Sequence, residues 1–213
     1  MERKAELSRK TTETDICVKL CLDGSGNAIL DVPIGFFRHL LHNFARHGLF
    51  DLEIHAKGDL EVDQHHLVED VGICLGTAFA KALGSKVGIR RTGSCIYPMD
   101  ETLVRAACDI SGRPFLVFEA ALSGHPFVSA DGGGNSAPFQ TDTVYDFWQG
   151  WTNSCGAALH LDVLRGRSDH HKLEALFKAA GRCIRAACEP DPRAGDAIPS
   201  TKGTLENNGI FLC

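Results

Sequence analysis

Two short runs of this 213-residue chain carry the ingredients of a metal site: Asp63-Gln64-His65-His66-Leu67-Val68-Glu69-Asp70 and Asp169-His170-His171-Lys172-Leu173-Glu174. In each, a glutamate stands four residues after the first of two adjacent histidines. Residues four apart share a helix face, so His65 with Glu69, and His170 with Glu174, can converge on one ion. The second histidine of each pair is turned roughly 100° round the helix and must serve another ion. His65 to His170, His66 to His171 and Glu69 to Glu174 are all separated by 105 residues. A solvated polar first turn accounts for either run alone but not for two copies at a fixed offset. The repetition reads as an internal duplication carrying two metal half-sites.

Each run opens a helix. Val68, Val71, Leu75, Phe79 and Leu83 form the apolar stripe of the first, which Gly84 closes; Leu173, Leu176, Phe177, Ile184 and Ala187 form that of the second, which runs to Glu189-Pro190. Upstream, residues 15–22 alternate as a half-buried strand, and the turn Asp23-Gly24-Ser25-Gly26 predicts residues 28–32 as its hairpin partner. A helix over residues 36–46 follows Pro33 and Gly35, buried along Phe36, Phe37, Leu40, Leu41 and Phe44. Residues 51–57 alternate again, with Leu52, Ile54 and Ala56 inward. The second half replays the order: a strand over 103–109, a return strand over 115–120, a helix over 143–154 and a strand over 157–164. Between them, the run Asp131-Gly132-Gly133-Gly134-Asn135 lacks a Lys-Ser/Thr ending and reads as a flexible loop. The expected fold is α/β (α+β), two strand-strand-helix-strand-helix halves that bury their helix faces against each other.

A chain that is 44% hydrophobic has ample core for one domain, and a net charge of −5 gives no reason to expect a nucleic-acid partner. No apolar run approaches a membrane span, and residues 1–10 are charged, unlike a signal sequence. Nine scattered cysteines without a C-x-x-C pair fit reduced thiols and a cytoplasmic location.

Other polar groups are less decided. His55 precedes His65 by ten residues, as His160 precedes His170, and the repeat does not choose between them, though His160 sits among Ala158, Leu159 and Leu161. Periodicity does not rank His39, His42 and His47, and His125 lies in a loop with no partner pattern. Pro199-Ser200-Thr201-Lys202-Gly203 offers hydroxyls, a cation and a glycine-permitted backbone approach, the parts of a phosphate site, which Arg91 and Arg113 can complete. Glu13, just before the first strand, can supply a carboxylate.

Taken in order, these residues belong to motifs that resemble the imidazoleglycerol-phosphate dehydratases of histidine biosynthesis over nearly the whole chain. They are Arg9-Lys10-Thr11-Thr12-Glu13-Thr14, Leu22-Asp23-Gly24, Gly35-Phe36-Phe37-Arg38-His39-Leu40-Leu41, the segment 58–70, Pro98-Met99-Asp100-Glu101, Asp109-Ile110-Ser111-Gly112-Arg113-Pro114, Leu159-His160, the second histidine run, and Ser200-Thr201-Lys202-Gly203. The resemblance implies one domain over 1–213 built of two repeats, about 9–95 and 96–203, with a helical layer sandwiched between two mixed sheets. It implies His39, His65, His66, Glu69, His160, His170, His171 and Glu174 as ligands of two manganese ions. It implies substrate contacts from Glu13, Arg91, Arg113, Ser200, Thr201 and Lys202, and a homo-oligomer of 24 subunits assembled from trimers. Arg38 stands where the family usually carries an aspartate; Pro33, Thr12 and Arg167 replace a usual Gly, Lys and Asn.

The implied reaction is removal of a carbon-bound proton and a hydroxyl from a phosphorylated imidazole, with metal favouring the electron-rich ring and a carboxylate taking the proton. Glu13 is the first candidate for that base, and Glu174 is its competitor. A two-metal hydrolase and a non-catalytic, metal-cemented oligomer are the rival readings; ligation by imidazole and Glu without a bridging Asp speaks against the first, and a phosphate site against the second.

Overall fold

The computed structural model describes residues 3–123 and 138–205; His125 and the glycine run at 132–134 lie outside them. Strands β1 (Lys4–Lys10), β2 (Thr14–Cys21), β3 (Ala28–Asp31) and β4 (Asp51–Gly58) form one sheet in the order β1-β2-β4-β3, with helices α1 (Gly35–Gly48) and α2 (His65–Leu83). Strands β5 (Thr92–Met99), β6 (Thr102–Asp109), β7 (Phe115–Glu119) and β8 (Ala158–Arg165) repeat the order as β5-β6-β8-β7, with α3 (Thr143–Cys155) and α4 (Asp169–Cys188). Helix α2 packs on β1 and β2, and α4 on β5 and β6, so the helices form a layer between two mixed sheets.

Each half is therefore strand-strand-strand-helix-strand-helix, one strand longer than the sequence reading. The extra strands, β1 and β5, are edge strands of alternating exposure, and their inward positions (Ala5, Leu7 and Arg9; Gly93, Cys95, Tyr97 and Met99) carry too few large aliphatic side chains for the period of two to stand out. A boundary between residues 95 and 96 falls inside β5.

The expected hairpins do not form. β3 pairs in parallel with β4, and β7 in parallel with β8, because β2 and β6 already have partners on both edges. The turn after β2 is drawn across β4 by Asp51, whose Oδ1 accepts the backbone N–H groups of Ser25 and Asn27, each at 2.9 Å. No local pattern announces that long-range carboxylate.

The layer is assembled from one helix of each half: α1 beside α4 and α2 beside α3. Glycine sets the second contact. A Cβ on Gly72 would lie 2.2 Å from the Phe147 carbonyl oxygen, and one on Gly76 2.4 Å from that of Trp151. Both pairs run parallel, as His39 near Glu174 and His47 near Arg182 show for the first. Phe37 against Phe147, with ring centroids 5.4 Å apart, and Phe36 against Phe139 bring the α1 and α3 starts together. All four N-termini, with their ligand-type side chains, consequently meet at one end of the helical layer.

Candidate metal centre and active site

The tightest cluster joins His39 of α1 to His170 and Glu174 of α4. Glu174 Oε2 lies 3.2 Å from His39 Nε2 and 3.0 Å from His170 Nε2, and one ligand atom from each residue falls within 4.8 Å of the others. Phe36 closes one side, its ring centroid 4.9 Å from that of His170. Lys178, one turn further along α4, takes the other oxygen, Oε1, at 2.7 Å. Burial pushes the Glu174 carboxyl up, but the hydrogen bonds from Lys178 and His39 outweigh it and hold the group at about 2. Glu174 is ionised at neutral pH, as a ligand must be.

The other half holds a looser grouping that the histidine pattern alone does not reveal, with one carboxylate toward each ring nitrogen of a single histidine. His65 Nε2 lies 3.8 Å from Glu69 Oε2, and His65 Nδ1 lies 3.4 Å from Asp146 of α3. The offset from Asp51 at the start of β4 to Ala158 at the start of β8 is 107 residues, and the same offset carries His39 to Asp146. Asp146 thus stands to α2 as His39 stands to α4. Tracing the repeat by the strand spacing, rather than by the histidine pairs alone, would have found it.

His66 and His171 face away from their neighbours. The rings of His65 and His66 are inclined at 83°, and those of His170 and His171 at 89°. Each second histidine has Nδ1 on a carboxylate: Asp59 at 3.0 Å for His66 and Glu101 at 2.8 Å for His171. The Asp59 bond raises the His66 pKa. Glu101 also accepts from the backbone N–H of Ser168 and Arg167; the Ser168 bond and the His171 ring hold its carboxyl at about 2. A carboxylate on Nδ1 fixes ring orientation and leaves Nε2 to ligate, the usual support for a metal-bound histidine.

Glu13 lies in the β1–β2 turn, where its carbonyl accepts the Asp59 N–H at 3.1 Å, next to the residue that orients His66. The spacing from Thr14 to Thr102 makes Glu101 its counterpart in the second half. Glu101 is saturated by donors, whereas the exposed Glu13 carboxylate meets no hydrogen-bond donor among the described residues.

His160 does not join these groups. Strand alternation puts Leu159 and Leu161 against the helices and His160 on the outer, exposed face of the second sheet, opposite every other candidate ligand. The side-chain period of two rules it out of the cluster within this chain. His55 is likewise outside, exposed beside Glu53 and Asp31.

The phosphate candidates lie elsewhere. Arg91 is engaged by Asp109 through two bonds of 2.7 and 2.9 Å and by the Pro199 carbonyl at 2.9 Å, so it anchors the loop that carries Ser200, Thr201 and Lys202. In that loop the Lys202 N–H donates to Ser200 Oγ, and Gly203 takes a positive φ of 71°. The Arg91 N–H donates to the Ala187 carbonyl at the C-terminal end of α4. With a rise of 1.5 Å per residue, that is about 25 Å from His170. Arg113, in the turn after β6, lies towards the same end.

A cluster that could hold a metal lies at one end of the chain, and a loop with the composition of a phosphate site lies towards the other. The family model described as imidazoleglycerol-phosphate dehydratase matches residues 32–184. An imidazoleglycerol-phosphate dehydratase of Acidithiobacillus ferrooxidans is 50% identical over 203 residues, covering 95% of this chain and 98% of the relative. The chain belongs to the imidazoleglycerol-phosphate dehydratase family. A relative of the same name from an Acidovorax species is 52% identical over 204 residues, 96% of this chain and 93% of its own. Among solved structures, the imidazoleglycerol-phosphate dehydratase of Staphylococcus aureus superposes with a TM-score of 0.75 at 31% identity, covering 88% of this chain and 99% of that one. The Pyrococcus furiosus protein, in complex with (S)-C348, gives 0.72 at 31% identity, covering 93% and 99%. The dehydratase likeness thus holds in sequence and in the duplicated fold.

Proposed function

We infer that this chain dehydrates imidazole glycerol phosphate to imidazole acetol phosphate in histidine biosynthesis, as a single domain of two repeats acting in the cytoplasm. No helix of the described residues is long and apolar enough to cross a membrane. The observation that carries the reading is the duplicated, mutually perpendicular histidine pairs, each with a glutamate on its helix.

In this reading two manganese ions are held by His39, His170 and Glu174 in one half-site and by His65 and Glu69 with Asp146 in the other; His66 and His171 each supply an imidazole to a neighbouring subunit. His160 is left out for its orientation. When bound, the ions hold the substrate's imidazole ring and favour its electron-rich form. Glu13 takes the carbon-bound proton, since its carboxylate is free. Glu174 is the weaker choice, because Lys178 holds it in place. Arg113, Ser200, Thr201 and Lys202 bind the phosphate, with Arg91 fixing their loop, and so turn binding energy into orientation.

The separation of about 25 Å between His170 and the Arg91 end of α4 supports a site shared between copies, since one small substrate cannot reach both ends of a chain. Exposed Leu60, Val62 and Tyr145 around the ligand end offer apolar surface for such contacts. A 24-subunit shell of trimers is the assembly that the family resemblance implies.

The test follows formation of the ultraviolet-absorbing keto product from imidazole glycerol phosphate, with manganese and after its removal. Product that depends on the metal is expected, with Lys202→Ala raising KM about ten-fold or more while leaving the metal bound. No product from manganese-loaded protein refutes the function.

A further inference from the structure

The two halves share a design, but their electrostatics differ. The 105-residue offset pairs Glu174 with Glu69 and Lys178 with Ile73. Lys178 therefore neutralises Glu174 at 2.7 Å, while no residue at the matching position of α2 does the same for Glu69. The 107-residue offset pairs the neutral ligand type His39 with the anion Asp146. Among the described residues, no lysine or arginine lies within ion-pair distance of Glu69 or Asp146; both meet only His65. The α1–α4 half-site thus presents two imidazoles and a carboxylate whose charge is already offset. The α2–α3 half-site presents one imidazole flanked by two carboxylates, one toward each ring nitrogen, with no lysine or arginine beside them among the described residues.

We propose that the half-sites bind divalent cations with unequal strength and selectivity, the α2–α3 half-site loading first and taking the harder ion. This rests on the two-metal reading above. The cause is charge: a cation entering the α2–α3 half-site meets two anions, whereas at the α1–α4 half-site it must also approach the Lys178 ammonium. Selectivity follows from donor type, because carboxylate oxygens suit manganese and magnesium while an imidazole-rich set suits zinc, cobalt or nickel. The imidazole contributed by a partner adds one neutral donor to each half-site and leaves the difference intact.

The experiment titrates manganese into the metal-free full-length protein at neutral pH, with isothermal calorimetry for affinity and electron paramagnetic resonance for the free ion. Two classes of site at least about ten-fold apart in Kd are expected. Asp146→Asn should weaken the tight class, and Lys178→Met should tighten the weak class, with near-ultraviolet circular dichroism confirming that each variant is folded. Two ions bound with one common affinity would overturn the inequivalence and leave the two-metal reading standing. Fewer than two ions per subunit would overturn the two-metal reading itself. Two classes that both stay put in the two folded variants would overturn the assignment of the difference to Asp146 and Lys178.

Discussion

The first turn of α4 rests on a buried ion pair whose removal should be costly and largely reversible by a second substitution. Lys172 and Asp169 have only 9% and 3% of their side chains exposed, and Nζ lies 3.1 Å from Oδ1. Lys172 also donates to the Ala121 carbonyl at 2.6 Å, while Asp169 Oδ2 accepts the N–H and hydroxyl of Ser123 at 2.7 and 2.5 Å. Lys172→Leu strips a buried carboxylate of its cation, and losing one partner of such a pair costs about 3–5 kcal/mol. The two Ser123 bonds remain, which places the expected loss near the lower figure. The first half shows the neutral alternative at the same positions: Gln64 and Leu67, both buried, with Gln64 bonded reciprocally to Gln140 at 3.0 and 3.1 Å. Lys172→Leu combined with Asp169→Gln copies it and should recover at least half of the loss. Urea unfolding of the metal-free protein at one fixed concentration measures all three. The pH dependence has a definite sign. Burial pushes the Asp169 carboxyl up, but the bonds from Ser123 and Lys172 win and lower its pKa. Its contribution is therefore complete above the unfolded value of about 3.9 and is lost as pH falls through the folded one, so the gap between wild type and Lys172→Leu should close in acid. A single variant costing less than about 1 kcal/mol, or a double variant no more stable than the single, would refute the reasoning.

Two other outcomes are expected. Gly72→Ala puts a methyl group 2.2 Å from a backbone oxygen, so α2 and α3 must separate; a gain in helix propensity of about 1 kcal/mol is set against an overpacking cost of about 1–3 kcal/mol. Lowered stability with weaker manganese binding should follow, read by denaturation and elemental analysis, and unchanged values of both would show that the helix spacing does not set the site. Chelation at neutral pH should reduce the particle to a much smaller species, a trimer, and manganese should restore it; light scattering reporting unchanged mass with metal verified absent would place the sites inside one subunit.

Much of the chemistry is legible in local pattern because it obeys the two short periods of regular structure. The spacing of His65 and Glu69, and of His170 and Glu174, is a helical spacing, and a helix positions residues four apart whatever surrounds it. The alternation of Leu52, Ile54 and Ala56 with Glu53, His55 and Lys57 determines β4 in the same way. The fixed offset between the histidine runs reveals the duplication, and the ordered motifs identify the family.

What those periods do not encode is which elements meet. Ala28–Asp31 takes the far side of β4 because Asp51, 24 residues beyond Asn27, draws the turn across. Within this chain His160 stands apart from the other candidate ligands because of the face its strand presents once β6 and β7 flank it, although its apolar sequence neighbours favour it over His55. Asp146 enters the site only because α3 packs parallel to α2, closely enough that glycine is required at positions 72 and 76. The distance between the candidate ligand end and the candidate phosphate loop depends on the length and direction of α4. Residue types and their helical or strand spacing were determined by the sequence alone; partner choice among strands, the pairing of helices and the charge around each half-site were decided by tertiary structure, because they arise from contacts between residues far apart in the chain.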